Sequence, residues 1–187
     1  MLLIGVDMDG VLVDMYGGII KHFAPDKMHR LKDWPLGLDD VASVIGWDAE
    51  TLWTSIDKLG ADFWANMPEY SWSHRLWDMC NKYGDTYILS SPRAESADTC
   101  AAGKIRWLQK FTGDKKFRKF ILTNAKFACA KPGSVLIDDW NKQCLSFTEA
   151  GGRAILFPQR WNGFAMSDEE RLQTVEAHLK EAANANS

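Results

Sequence analysis

Short aliphatic runs alternate along this chain with longer stretches whose apolar residues recur every three or four positions. Residues 2–7, 86–89, 117–122, 135–137 and 154–157 are the short runs, and they read as strands buried in a parallel sheet. The spacing between them predicts helices. Residues 16–23 place Ile19, Ile20 and Phe23 on one side. Residues 48–59 open on Asp48 as N-cap and carry the stripe Leu52, Ile56, Leu59. Residues 38–45 form a shorter helix, and residues 71–83 one that Gly84 stops. Residues 94–111 read as one long helix ended by Gly113, and residues 141–150 as another. Ser167 and Glu170 make a capping box for a last helix with Leu172, Val175 and Leu179 inward, and residues 182–187 are expected to fray. Pro25, Pro35 and Gly37 mark residues 24–37 as irregular.

Strands alternating with helices imply an α/β fold, a Rossmann-like three-layer parallel sheet core with right-handed crossovers. Residues 15–70 contain helices but no strand, so they are expected to form a small helical cap inserted after the first strand. The core domain is then residues 1–14 with 71–187.

Composition changes this picture little. A chain of 187 residues with 46% hydrophobic and 25% charged residues is long enough for one full core and ordinary for a globular protein. Its net charge of -3 gives no global attraction to nucleic acid or to an anionic membrane. The four cysteines show no CxxC spacing and read as reduced thiols. With no leader-like or membrane-spanning stretch before the first strand, a cytoplasmic protein is expected. Whether it forms a homodimer is left open. None of the four histidines shows metal spacing.

The chemistry gathers where the strands end. Asp7 and Asp9 stand one residue apart at the end of the first run, and Asp138-Asp139 end the run at 135–137. Ligands of open α/β sheets bind beyond the carboxyl ends of the strands. Like charges that close need neutralising, and Mg²⁺ uses one or two carboxylates together with substrate phosphate. The run at 86–89 ends in the hydroxyls Ser90 and Ser91, and Lys126 and Lys131 precede the last acid pair.

Acid, hydroxyl, lysine and acid in this order resemble the haloacid dehalogenase (HAD) superfamily of phosphotransferases. Asp7 and Asp9 match its first motif, Ser90 the second, Lys126 the third with Lys131 as alternative, and Asp138 with Asp139 the fourth. The stretch from Asp7 to Asp14, with Met15-Tyr16-Gly17-Gly18, Leu89-Ser90-Ser91-Pro92, Leu122-Thr123-Asn124-Ala125-Lys126 and the glycine pair before Arg153, is similar to the 5'(3')-deoxyribonucleotidase family.

That resemblance implies a Mg²⁺-dependent phosphatase acting on a small phosphate monoester, a nucleotide. Asp7 is then the nucleophile and Asp9 the acid–base. Ser90 and the Ser91 backbone N–H bind phosphate, and Lys126 adds charge to the transferring oxygens. The metal is held by Asp7, the Asp9 carbonyl and one of Asp138 and Asp139. Met15, Tyr16, Trp34 and Trp64 fall where the resemblance places a base pocket, and Arg93 is a candidate for phosphate or sugar. Stacking a base on an aromatic is worth about 1–3 kcal/mol in single-strand binders. The plainer reading of the same four residues is packing. Alternatives with the same chemistry are a sugar phosphatase or a polynucleotide 3'-phosphatase. Only the basic run at residues 115–119 favours the polynucleotide, and a solvated loop explains that run equally. A nucleotide-binding protein without turnover is the remaining reading, and the intact Asp7 and Asp9 speak against it.

Overall fold

The computed structural model describes residues 1–186. Its sheet is five parallel strands in the order β3-β2-β1-β4-β5: β1 Leu2–Val6, β2 Gly84–Ser90, β3 Phe120–Leu122, β4 Ser134–Asp138 and β5 Arg153–Leu156. Ile4, Val6, Ile88, Leu136 and Ile137 are fully buried, as the near-continuous aliphatic runs require of a sheet covered on both faces. Every strand foreseen in the sequence is present. β3 is shorter and starts at Phe120, although the Lys119 carbonyl just before it accepts from the Ile88 N–H at 2.9 Å.

The helices that flank the sheet are α4 Ser73–Tyr83, α5 Ala97–Thr112, α6 Asn141–Glu149 and α7 Asp168–Ala185. α5 begins later than the periodicity suggests, since residues 94–96 form a separate 3-10 turn. The expected fraying from residue 182 is not found: α7 continues to Ala185 with Ala182 buried, while Ser187 lies outside the described residues. The capping box of Ser167 and Glu170 is formed.

Between β1 and α4 lie α1 Met15–Phe23, α2 Val41–Ile45 and α3 Ala49–Ala65, with a 3-10 turn at Pro25–Leu31. Asp48 caps α3 by accepting from the Thr51 N–H at 2.8 Å. α3 does not stop at Leu59; it kinks at Gly60, whose φ of 63° leaves the helical region, and runs on to Ala65. These helices share an apolar cluster of their own, built on Ile19, Ile20, Trp34, Ile45, Leu52 and Ile56. The entry and exit of this segment run side by side: the Asp14 N–H donates to Pro68 at 2.9 Å and the Tyr70 N–H to Leu12 at 3.0 Å.

The segment is not loosely hung. A Cβ at Gly103 of α5 would stand 2.4 Å from the Trp64 Cβ and 2.5 Å from the Ala61 carbonyl oxygen, so only glycine lets α5 and α3 approach so closely. Trp107 of α5 donates to the Met67 carbonyl at 2.9 Å, and Lys110 to the Ala65 carbonyl at 2.9 Å.

Candidate active site

β1 and β4 are hydrogen-bonded neighbours, so their carboxyl ends deliver acids to one place. The Asp7 N–H extends their ladder by donating to Ile137 at 2.9 Å. Carboxylate oxygens of Asp7, Asp138 and Asp139 lie within 4.8 Å of one another. After Asp7 the chain folds back in a tight turn, with the Leu12 and Val13 N–H groups both donating to Met8 at 2.8 Å. Gly10 sits in that turn at φ 74°, and a Cβ there would stand 2.0 Å from Asp139 Oδ2. The glycine after the acids is thus demanded twice, by its dihedral and by the acid pressed against it.

Two buried lysines hold the acids. Lys126, 1% exposed, lies between the strands: its Nζ is 2.9 Å from Asp7 Oδ1 and 2.6 Å from Asp138 Oδ2. Burial works against its charge, but Asp7 and Asp138 outweigh burial and hold the ammonium above its ordinary range. Lys131 is exposed and borders a different cleft. Lys104, 2% exposed, donates to Asp9 Oδ2 at 2.6 Å, Ser90 Oγ at 2.9 Å and the Ser91 carbonyl at 2.8 Å. Its charge, too, is disfavoured by burial and restored by Asp9 and Asp7.

The acids at the end of β4 are pushed the other way. Burial, then the Asp7 charge, raises Asp138 to about 6, against the pull of Lys126 and of the Trp140 N–H that it accepts at 2.9 Å. Burial, then Asp138 and Asp7, raises Asp139 well above the ordinary carboxylate range. Trp161 Nε1 opposes this by donating to Asp139 Oδ2 at 2.6 Å, while Asn162 Nδ2 fixes the backbone by donating to the Asp139 carbonyl at 2.7 Å.

A cavity of about 360 Å³ opens over the acids. Asp7, Asp9, Lys126, Asp138 and Asp139 line it, as do Ser91, Met15 and Tyr16; Trp53, Trp140, Trp161, Asp39 and Gln143 complete the wall. The other sequence candidates stand elsewhere. Ser90 is wholly buried and its hydroxyl accepts from Lys104, so Ser91 and not Ser90 meets the cavity. Trp34 lies behind Tyr16, stacked on it at 4.7 Å with its indole N–H on the Leu38 carbonyl. Trp64 is buried where α3 meets α5. Arg93 is turned to the helical segment: it forms two bonds to Asp57, at 2.9 and 3.2 Å, and its guanidinium lies 5.0 Å from the Trp53 ring centre. The aromatic wall is therefore made by residues other than Trp34 and Trp64, because large apolar side chains next to a second core are drawn into it.

Lys104, Trp53, Trp140, Trp161 and Asp39 were not foreseen. For Lys104 a signal existed: it falls on the stripe Cys100, Gly103, Trp107, Leu108, Phe111 that α5 buries, and a lysine on such a stripe needs a partner charge.

A parallel sheet with acids at the ends of two adjacent strands defines the class: an α/β fold with an acid cluster at the carboxyl edge of its sheet. No family model matches the chain, and no curated protein matches it in sequence. Among solved structures, the chain is similar to a HAD family hydrolase from Deinococcus radiodurans R1 with bound phosphate and sodium, at TM-score 0.51 and 14% identity, over 97% of this chain and 95% of that one. A HAD-superfamily hydrolase, subfamily IA, from Geobacter sulfurreducens PCA superposes at TM-score 0.44 and 12% identity, over 82% of this chain and 85% of that one. The first of these likenesses shows the fold to be that of HAD hydrolases.

Proposed function

We propose that this chain is a Mg²⁺-dependent phosphomonoesterase acting on (deoxy)ribonucleoside monophosphates through a phosphorylated Asp7. One observation carries the reading: Lys126 spans Asp7 and Asp138 from within the core, so a buried carboxylate at the sheet edge is held rigidly beside a second acid pair. The likeness to a hydrolase with bound phosphate agrees with it.

The residues fit a hard cation. Asp7 Oδ1 is buried without a well-directed hydrogen bond, although Lys126 stands near enough for an ion pair. The neighbouring donors are all carboxylate oxygens, the set that Mg²⁺ prefers. Asp7, Asp138 and Asp139 would hold the ion, with the Asp9 carbonyl as the family resemblance implies. When bound, Mg²⁺ supplies charge screening between the phosphate dianion and Asp7.

In this reading an Asp7 oxygen attacks phosphorus, the bond to the ester oxygen breaks, and Asp9 gives its proton to the departing alcohol. Asp9 then takes a proton from water, the water oxygen attacks phosphorus, and the bond to Asp7 breaks to release inorganic phosphate. Lys104 occupies Asp9 in the resting site. For Asp9 to carry a proton, that ion pair gives way once the substrate is bound. Lys126 balances charge on the transferring oxygens.

The helical segment at residues 15–70 acts as the cap. Its Met15, Tyr16 and Trp53, facing Trp140 and Trp161 of the core, make a wall suited to a planar base more than to a bare sugar. The reading is tested with Asp7→Asn. Turnover of thymidine 5'-monophosphate with Mg²⁺ should fall by at least about 10⁴-fold, as expected for loss of a nucleophile, with folding retained by circular dichroism. Retained turnover would remove the covalent route.

A further inference from the structure

The cavity contains one carboxylate that the phosphoryl-transfer scheme does not use. Asp39 lies in the connection before α2, far in sequence from the strand-end acids, yet it lines the same cavity. Asp39 is exposed at the cavity mouth, but it is not a free loop acid. The Tyr16 hydroxyl donates to its Oδ1. Tyr16 is itself clamped, stacked on Trp34 at 4.7 Å with 9° between planes and set edge-on to Trp161 at 4.7 Å. Burial, then the Asp39 charge, raises the Tyr16 hydroxyl far above its usual range, so it stays a donor and holds the carboxylate in place. Asp39 Oδ2 has no protein hydrogen bond among the described residues, and the Asp39 side chain makes no ion pair there.

We infer that Asp39 is a specificity-determining residue: it accepts a hydrogen bond from an O–H or N–H group on the organic part of a phosphate monoester, and it turns away substrates that bring a second phosphate. The inference rests on the phosphomonoesterase reading. A fixed acceptor with an open oxygen favours a donor such as a sugar hydroxyl or a base amino group. The same charge opposes a phosphate dianion that has no cation beside it. The rest of the wall sharpens the effect. Among the described residues Lys126 is the one lysine lining the cavity, and its ammonium is held by Asp7 and Asp138, while Lys104 is buried on Asp9. Two arginines stand near that wall: Arg93 is occupied by Asp57 and Glu95, and the Arg160 Nε donates to the Trp34 carbonyl at 3.0 Å.

The test compares thymidine 5'-monophosphate with thymidine 3',5'-bisphosphate, which share base, sugar and reacting ester. Both are assayed with Mg²⁺ on the full chain. Wild-type protein should show kcat/KM at least about tenfold lower for the bisphosphate, a size within reach of one misplaced charge. Asp39→Asn should bring that ratio close to one, Asp39→Ser should do the same, and Asp39→Glu should keep the discrimination. A wild-type ratio near one, or a ratio that Asp39→Asn and Asp39→Ser leave within twofold of wild type, would overturn the inference while monophosphate turnover keeps the phosphatase reading intact. Failure of wild-type protein to cleave either ester removes the phosphatase reading and the inference together.

Discussion

Lys104 and Asp9 meet at 2.6 Å, although 95 residues separate them and one stands on a helix while the other follows a strand. The same ammonium takes the Ser90 hydroxyl and the Ser91 carbonyl, so three groups at the ends of β1 and β2 are tied by one side chain. The hydroxyl at the end of β2 and the second acid after β1 therefore do not act alone. Their positions depend on a charge delivered from α5.

Replacing Lys104 by Met keeps the volume and removes that charge. Turnover should drop by about 10²–10³-fold, as when a preorganised donor is lost from a developing charge, with the larger part in kcat. Steady-state kinetics on a nucleoside monophosphate, with a thermal melt alongside, separates this from packing. A lysine that only packs would lower the melting temperature and leave kcat near wild type.

The acid cluster gives the chelated protein a pH dependence. Asp138 is raised to about 6, chiefly by burial and then by Asp7, and Asp139 is raised as well, chiefly by burial and then by Asp138. A carboxyl whose folded value lies above its unfolded one contributes stability below the unfolded value and loses it as pH rises through the folded value. With chelator present, the melting temperature should therefore fall between about pH 4 and pH 7, by about 2–4 °C for each kcal/mol lost in a chain of this size. Mg²⁺ should restore it at the upper end, and Asp138→Asn should flatten the fall. Differential scanning fluorimetry across that range checks the sign. A melting temperature that climbs over this interval would contradict it.

Arg93 joins the helical segment to the core through Asp57, and it also lies over Trp53 on the cavity wall. Charge-assisted pairs of this kind are worth about 1.5–3 kcal/mol, reduced here because both side chains are about one-fifth to one-quarter exposed. Arg93→Ala should raise KM for a nucleotide several-fold through Trp53 and leave kcat within about threefold. A double-mutant cycle with Asp57→Ala should show the two coupled. If Arg93 instead touched phosphate, kcat would collapse and the cycle would be additive.

The order of elements, the sheet's parallel character and the acids at strand ends were all legible in the chain. Aliphatic runs of strand length and the glycine behind Asp7 and Asp9 are local signals, and local steric and burial rules decide them. Asp48 as a helix cap and the Ser167–Glu170 box are legible for the same reason, since each is satisfied within one turn. The aromatic wall was not legible. Trp34, Trp53 and Trp64 have the same side chain in neighbouring parts of one segment, and only packing turns Trp53 to the cavity while the other two go inward.

By itself, then, the sequence determined which residues end strands, where helices begin, and that two pairs of acids leave the sheet on the same edge, because these follow from backbone sterics and from burial of neighbouring side chains. Only the tertiary structure decided that Lys104 faces Asp9, that Lys126 and not Lys131 enters the acid cluster, and that Asp39 looks into the cavity. Each of those is a meeting between groups distant along the chain, and it exists because a buried charge finds a partner only after the helices have packed.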